Sequence, residues 1–368
     1  MKITHITSVH TRYDVRIFHK ECRSLAAAGN MINLVVADGK GDEIRDGVHI
    51  IDAGERIANR IKRILFSPNR VFDKATSTNA EIYHLHDPEL LRLTPRLLKL
   101  GQVIYDAHED LPRQILGKYW IPKPIRGIVS FFSEKVENSY AGKVSGLIGA
   151  TPFIADRFRK INNNVVNINN YPLLEEFTDI ERKPSNERFA CYIGGISIER
   201  GILEMVKAME FVDGKLILAG NFSNPEEREK AKKLPGWENV IELGFCDREK
   251  VKEILASTNV GLVVLHPTIN YIDALPVKLF EYMATGLPVI ASDFPLWREI
   301  VDTARCGKFV NPLDPVQIAG AINCILNNPI EARKMGTAGR QAVIDNYNWK
   351  MEEKKMLEFY GLGERLSP

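Results

Sequence analysis

The sequence predicts an α/β fold built from two Rossmann-like, doubly wound domains that face a cleft. The chain has 368 residues, which is too long for one ordinary core. Short β-rich runs alternate with helical patterns along both halves, a rhythm typical of parallel sheets with right-handed crossovers. A polar, proline-containing stretch at residues 173–188 interrupts this rhythm. We therefore expect a first domain at residues 1–172, a linker at 173–188, a second domain at 189–345 and a terminal helix within 346–368.

The first half opens with a strand at residues 3–9 and a helix at residues 15–28. Asp14 is placed to cap the start of this helix, and Gly29 to end it. Thr151 and Pro152 supply a cap and a first-turn proline for a later helix. Further strands are predicted at residues 31–36, 81–85, 102–105, 146–150 and 165–168.

The second half repeats the alternation. Strands are predicted at residues 189–193, 215–219, 240–243, 260–265 and 287–291, and helices at residues 202–212, 248–256, 276–285 and 316–327. Ligands bind at the carboxyl ends of the strands in such folds, so the loops that follow strands are the places to look for a site.

Composition and charge set the class of protein. Hydrophobic residues make up 45% and charged residues 26%, ordinary values for a soluble enzyme, and the net charge of +2 does not indicate a nucleic-acid partner. The five cysteines are scattered with no CxxC pair, which indicates reduced thiols and no metal framework. The chain shows no signal-peptide pattern and no run of about 18 apolar residues, so we expect a cytoplasmic protein.

A glycine-containing loop follows the first strand of the second domain. Residues 192–201 read YIGGISIERG, in which Gly194 and Gly195 allow the backbone to approach a phosphate and Arg200 can chelate diphosphate oxygens. The alternative is a tight turn between a strand and a helix, with Arg200 in solvent. The motif alone favours neither interpretation.

A second constellation spans residues 273–290, which read DALPVKLFEYMATGLPVI. Asp273 precedes a predicted helix, while Lys278 and Glu281 share one face of it. Glu281 can accept hydrogen bonds from a ribose diol, Asp273 from a donor sugar, and Lys278 can neutralise phosphate. The alternative is a surface helix with an ion pair that contributes little to stability.

These two motifs together resemble the retaining glycosyltransferase family four, also called group 1, of the bacterial surface-polysaccharide type. The resemblance is strongest over residues 192–315, where 243–246 (LGFC) is similar to the family's base-binding turn, which includes Phe245. It implies the GT-B architecture, a nucleotide-sugar donor and no metal or other cofactor. It also implies that the terminal helix packs back on the first domain, although an ordinary last helix of domain two remains an alternative.

Site roles follow from the resemblance position by position. Glu281 would hold the ribose, Asp273 the donor-sugar hydroxyls, and Arg200 with Lys278 the diphosphate; Asp273, Arg200 and Lys278 are therefore expected to be catalytic, together with His108 below. Two positions depart from the family pattern: Gly195 stands where many members have Arg, and Asp273 where Glu is common. These departures leave the donor open.

The first domain adds polar residues that follow strands. His108 lies in residues 105–110 (YDAHED), and its position matches the family's histidine that contacts the donor sugar; a lone histidine is otherwise more often structural. Candidates for acceptor or cleft contacts are Asp14, Arg16, His86, Asp87 and Glu109. The alternative for Asp14, Asp87 and Glu109 is helix capping.

Residues 55–74 and 118–132 combine basic and apolar side chains. Such segments can lie on an anionic membrane surface, whereas the alternative is a helix packed on its own sheet with a solvated basic face. The second segment contains Trp120. A peripheral site on the inner face of the plasma membrane would suit a polyprenyl-linked acceptor.

The predicted function is therefore retaining transfer of a sugar from a nucleotide-sugar, with UDP favoured, to a glycan or lipid-linked acceptor in surface polysaccharide biosynthesis. One alternative is a nucleotide-sugar epimerase on the same fold, which would need no acceptor. Another is a non-enzymatic two-domain ligand-binding protein. A dinucleotide oxidoreductase is disfavoured, because no strand is followed by GxGxxG with an acidic residue about 20 positions on.

Overall fold

The computed structural model describes residues 1–118, 121–180, 182 and 187–362, and the chain divides into two units. Unit 1 runs from Met1 to Asn170 and takes in the C-terminal segment from Trp349, whereas unit 2 runs from Tyr171 to Asn348. Each unit has its own apolar core. Part of the stretch interpreted as a linker belongs to unit 2, because Phe177 and Ile180 are buried in its core.

The described part of unit 1 contains one sheet of strand order β3-β4-β2-β1-β5-β6-β7-β8. All neighbouring strands are parallel except the β3–β4 hairpin. The strands are β1 Lys2–Ile6, β2 Met31–Val36, β3 Glu43–Arg45, β4 Val48–Asp52, β5 Ile82–Leu85, β6 Gln102–Ala107, β7 Gly146–Gly149 and β8 Val165–Asn167. The α-helices are α1 Arg23–Ala27, α2 Arg60–Thr76, α3 Thr94–Leu97, α4 Leu111–Gly117, α5 Lys123–Ala141 and α6 Pro152–Arg159.

The predicted helix at residues 15–28 divides into two forms. Val15–Cys22 is a π-helix, and the α-helix α1 continues directly from it. Elsewhere in unit 1, Pro88–Leu93 forms a 3₁₀ turn. Asp14 caps the π-helix as predicted, since its carboxylate accepts from the backbone N–H groups of Arg16 and Ile17. A π-helix is rare and often accompanies a functional site.

Unit 2 contains a parallel sheet of order β11-β10-β9-β12-β13-β14 within the described residues. Its strands are β9 Phe189–Ile193, β10 Lys215–Ala219, β11 Val240–Gly244, β12 Val260–Val263, β13 Val289–Ser292 and β14 Gly307–Val310. Its α-helices are α7 Ile202–Ala208, α8 Pro225–Lys232, α9 Arg248–Ser257, α10 Val277–Ala284, α11 Pro295–Ala304, α12 Pro315–Leu326 and α13 Pro329–Asp345. Short 3₁₀ turns occupy Leu174–Glu176, Ile198–Arg200, Met209–Phe211 and Pro235–Asn239. Both sheets confirm the predicted doubly wound α/β class, and their central strands are buried on both faces, as in sheets that helices cover on both sides.

The last described helix, α14 Trp349–Phe359, packs within unit 1. The indole Nε1 of Trp349 donates to Ser24 Oγ at 2.9 Å, and the Glu352 carboxylate accepts from the backbone N–H of Asn169 at 2.8 Å. None of the described helices has the length and apolar character needed to cross a membrane.

Candidate active site

The glycine loop of unit 2 brings backbone segments unusually close together. Gly194 follows β9 with φ +116°, a conformation that favours glycine. A Cβ on Gly220 would lie 2.0 Å from the Gly194 carbonyl oxygen, so only glycine fits there. The backbone after β9 therefore carries no side chain at Gly194, so a ligand can approach this backbone closely.

Arg200 folds back over this loop. Its Nη1 donates to the Gly195 carbonyl at 3.1 Å and its Nε donates to the Tyr271 hydroxyl at 3.3 Å. A Cβ on Gly195 would approach Arg200 Nη1 to 3.0 Å. The absence of a side chain at Gly195 thus leaves the space that the Arg200 guanidinium occupies.

The ammonium nitrogen of Lys278, in the first turn of α10, is buried beside the same loop. It lies 3.5 Å from the centroid of the Tyr192 ring and has no hydrogen-bond partner among the described residues. An ideal Cβ on Gly194 would be 3.5 Å from this nitrogen. Burial, reinforced by the nearby charge of Arg200, holds the pKa of Lys278 well below its usual range.

Glu281 lies one turn further along α10 and already has a cationic partner. Arg248 Nη1 donates to its Oε1 at 2.8 Å, and the other Nη of Arg248 contacts Glu176. Sequence reasoning missed Arg248, although its place at the start of a helix just after the LGFC turn was the available signal.

Asp273 and Phe245 lie in loops of unit 2. Asp273 is half-buried in the turn before α10, and the Trp297 indole fixes this turn by donating to the Ala274 carbonyl at 2.7 Å. Phe245 follows Gly244 at the end of β11 and is 78% exposed, so its ring is available for stacking. The roles assigned to both residues remain predictions.

His108 in unit 1 follows β6 and belongs to a cluster of imidazoles and carboxylates. Its Nε2 lies 3.0 Å from an Asp106 carboxylate oxygen and 3.1 Å from Nδ1 of His86. His86 in turn places Nε2 2.9 Å from His5 Nδ1. Burial lowers the pKa of His86 to about 4, although Asp106 opposes the shift.

His10, which the sequence analysis did not single out, joins the other candidates of this unit. Its Nδ1 is 3.1 Å from Asp14 Oδ2, its Nε2 is 3.5 Å from Asp87 Oδ1, and its ring centroid is 4.9 Å from that of His108. Burial opposes protonation, but the hydrogen bond with Asp14 and the charge of Asp87 outweigh it and raise the pKa of His10.

The capping interpretation of Asp87 is wrong. Its carboxylate makes no capping bond to the turn that follows and instead accepts from the Ser8 backbone at 2.6 Å and from Thr7 Oγ1 at 2.9 Å. The strand order explains this, because β1 and β5 are neighbours and their carboxyl ends meet.

Arg16 and Glu109 differ sharply in their surroundings. Arg16 is buried and donates to both Asp106 oxygens at 2.8 and 2.9 Å, and it lies 3.0 Å from Glu21. The Arg16 guanidinium is thus occupied by carboxylates inside unit 1, so any effect of Arg16 on a ligand would be indirect. Glu109 is a partner of Gln114, and Asp110, not Glu109, caps α4.

Two sets of side chains in unit 1 could reach a common metal ion. They are His5, Glu21, His84 and His86, and separately His86, Asp106 and His108. In the first set the rings of His84 and His86 are stacked at 4.4 Å with planes 19° apart. Stacked rings direct their nitrogens in parallel rather than towards one point, which suits a hydrogen-bonded chain better than a shared ion. Metal-free chemistry remains a prediction.

A part of the chain matches a known family model. Residues 175–342 match the family model described as "Glycosyl transferases group 1". The phosphatidyl-myo-inositol mannosyltransferase of Mycobacterium leprae is 22% identical over 327 residues, covering 85% of this chain and 83% of that protein.

Solved structures show the same fold. Sucrose-phosphate synthase from Thermosynechococcus elongatus superposes with a TM-score of 0.80 at 20% identity, over 100% of both chains. Anabaena HepE in complex with UDP superposes with a TM-score of 0.72 at 13% identity, covering 98% of this chain and 100% of that one. The chain therefore has the two-domain GT-B fold with parallel sheets.

Proposed function

We propose, from the premise that residues 175–342 form a glycosyltransferase group 1 domain, that this chain is a retaining glycosyltransferase that uses a nucleotide-sugar donor. UDP-sugars are the favoured donors, and the acceptor is a glycan or lipid-linked glycan of surface polysaccharide biosynthesis. The observation that carries the proposal is the buried ammonium group of Lys278, which lies beside the glycine loop and has no hydrogen-bond partner among the described residues.

A bound diphosphate would supply the anionic partner that the Lys278 ammonium group of unit 2 needs. A buried cation without a hydrogen-bond acceptor is costly, and an anion bound at the loop would remove that cost. Arg200 would supply a second positive charge a short distance away, held in place by Gly195 and Tyr271. The complex of HepE with UDP supports the choice of base, since that protein shares the fold.

In the proposed reaction the bond between the anomeric carbon and the diphosphate oxygen breaks, and a bond from that carbon to the acceptor oxygen forms on the same face. The acceptor proton passes to the departing diphosphate, so no protein nucleophile is required. Lys278 and Arg200 stabilise the charge that develops on the leaving group. Glu281 would orient the ribose while Arg248 holds one of its oxygens, and Asp273 and His108 would hold the donor sugar.

The remaining candidates of unit 1 are proposed to serve the acceptor. His10, Asp14 and Asp87 lie near His108 and offer both donors and acceptors for sugar hydroxyls. His86, whose two ring nitrogens contact His108 and His5, would act through His108. Glu109 lies next to His108 in sequence and is a further candidate. Arg16 holds Asp106 and is proposed as a positioning residue.

Thermal shifts with UDP-, GDP- and ADP-sugars, each with and without EDTA, test the donor site directly, because a ligand of the folded state raises its stability. We expect stabilisation by one nucleotide class that survives EDTA and is lost in Lys278→Met. Lys252→Met is the matched control and should keep the shift; Lys252 is a half-buried lysine on α9 that pairs with Glu249. No shift with any donor would contradict the proposal.

NMR analysis of the product tests the stereochemistry. An inverted anomer would exclude retention, and a free epimerised nucleotide-sugar formed without acceptor would favour the epimerase alternative instead.

A further inference from the structure

Helix α5 directs polar groups towards the interior of unit 1. Ser130 is buried and its hydroxyl donates to the Pro112 carbonyl at 2.8 Å. Glu137 is also buried and accepts from Arg157 at 2.6 Å and from the Tyr105 hydroxyl at 3.2 Å. The side of this helix that faces the protein is thus held by hydrogen bonds and an ion pair.

The opposite side of α5 is apolar and faces solvent. Its five large apolar side chains are between 44% and 62% exposed; they are Ile125, Ile128, Phe131, Phe132 and Val136. Their spacing of three and four residues places them in one stripe along the helix. This arrangement reverses the usual orientation of a surface helix, in which the apolar stripe faces the core.

The first half of α2 extends the exposed apolar area. Leu65 and Phe66 are 52% and 58% exposed. The Leu65 carbonyl accepts from Arg92 at 2.5 Å, so α2 is fixed to the 3₁₀ turn at Pro88–Leu93, and α5 packs against the same turn. Both helices therefore contact the same turn of unit 1.

Basic side chains accompany the apolar stripe. Lys62 and Arg70 on α2 and Lys123 and Lys135 on α5 are exposed, and Lys135 Nζ lies 5.5 Å from the Phe131 ring centroid. Asp73 on α2 and the half-buried Glu134 on α5 are acidic groups of the same helices, so the basic groups predominate. Apolar side chains with a cationic rim match the chemistry of an anionic bilayer surface.

We propose that the outer face of α5, with the first half of α2, is an interfacial surface that inserts its apolar side chains among the headgroups of an anionic bilayer. The occupant is a lipid surface because the stripe is linear and rimmed by lysines, as in helices that lie in the plane of a membrane. Trp120, which the sequence analysis placed in the same basic and apolar segment, lies outside the described residues.

This surface is tied to the loop that contains His108 and the acceptor candidate Glu109. Helix α4 begins directly after His108, Glu109 and Asp110, and α5 is fixed to α4 by the bond between Ser130 and Pro112. Bilayer binding by α5 would therefore hold this loop near lipid-borne glycans. That consequence for the acceptor rests on the proposed function, whereas bilayer binding itself does not.

Flotation of the full chain with vesicles tests the surface. We expect binding to vesicles of phosphatidylcholine and phosphatidylglycerol, weaker binding to phosphatidylcholine alone, and a reduction at higher salt. The double variant Ile128→Glu, Phe132→Glu should lower the partition coefficient by at least about tenfold, since each large apolar side chain contributes about that factor on burial. Ile44→Glu on β3 and Ile330→Glu on α13 change isoleucines elsewhere that are more exposed than Ile128, and these variants should bind as the unchanged chain does.

Three results would overturn the assignment: no flotation with anionic vesicles, flotation unaffected by the double variant, or a self-associated species in sedimentation that the double variant dissolves. The last result would identify a second copy of this chain as the occupant. Thermal shift with the nucleotide-sugar is measured on every variant. A retained shift with lost flotation supports the surface, whereas flotation without any donor shift would contradict only the proposed function.

Discussion

The ammonium nitrogen of Lys278 lies 3.5 Å from the centroid of the Tyr192 ring and has no hydrogen-bond acceptor among the described residues. A cation over an aromatic face is stabilised, but less than a cation that has hydrogen-bond acceptors. Burial and the charge of Arg200 lower the pKa of Lys278 as a result. The site is therefore short of negative charge until an anion binds.

The first prediction is that diphosphate binding takes up a proton at Lys278. The pKa of this lysine is depressed in the free protein and should rise when a polyanion binds, so protons are absorbed at pH values between the two pKa values, and affinity should fall as the pH rises. Calorimetry with UDP in buffers of different ionisation enthalpy measures this uptake. Lys278→Met should abolish it and Lys252→Met should preserve it; a binding heat that is independent of buffer in the unchanged chain would contradict the prediction.

The second prediction concerns Gly195. In Gly195→Ala the new Cβ would press on the Arg200 guanidinium, so we expect donor affinity to fall by about tenfold, the equivalent of about 1.4 kcal/mol. Gly320→Ala on α12 meets nothing within 4 Å and should instead stabilise the chain by about 0.5–1 kcal/mol with unchanged donor affinity. Titration of both variants with UDP, together with urea unfolding, separates the two effects. Equal affinity in Gly195→Ala and the unchanged chain would show that Arg200 does not need this space.

The sequence predicted those features that depend on local pattern. The strands at β9 and β10 have the expected bounds, because apolar runs between glycines and charged residues define them. The glycine loop and helix α10 were also predicted, because each has a local sequence pattern of its own. Helix α5 was not predicted, since its apolar side faces solvent and its polar side faces the protein.

Contacts between residues that lie far apart in the chain could not be predicted from the sequence. His5 and His86 are 81 positions apart and become neighbours because β1 lies beside β5, an order that periodicity does not give. Arg248 and Glu281 are 33 positions apart, and nothing in either segment indicates the pair. The hairpin β3–β4 was missed because β3 has only three residues.

The third prediction is that His86 makes unit 1 sensitive to acid. Burial lowers its folded pKa to about 4 from an ordinary value of 6.5, so the unfolded chain binds the proton first as the pH falls. The free energy of unfolding should therefore fall by on the order of 2 kcal/mol per such histidine between about pH 7.5 and about pH 5. Below the folded pKa the loss should level off. His5 and His84, whose pKa values are also lowered by burial, act in the same direction.

Urea unfolding of His86→Gln over this pH range is the test. The variant should lose part of the pH dependence, while His49→Gln on β4, at an exposed position, should keep all of it. An unchanged slope in His86→Gln would mean that His86 does not remain neutral in the folded chain.

The fourth prediction separates the two carboxylates that contact Arg16. Burial by itself raises the pKa of Asp106, but Arg16 and His108 outweigh it and hold the pKa well below its usual range; burial and the charge of Asp106 raise the pKa of Glu21. The charge of Arg16 is thus balanced mainly by Asp106, whereas burial favours the neutral form of Glu21. Arg16→Met should cost about 3–5 kcal/mol, because it leaves Asp106 as an uncompensated buried charge.

Double-mutant cycles distinguish these pairings. Arg16→Met combined with Asp106→Asn should show a coupling energy of about 1–3 kcal/mol, because removing both charges costs less than the two single changes added. The matched cycle of Arg16→Met with Glu21→Gln should show a much smaller coupling, since a protonated carboxyl loses no charge on that change. Equal couplings in the two cycles would indicate that both carboxylates are ionised around one arginine. Asp106, which contacts His108, would then share the charge of Arg16 with Glu21.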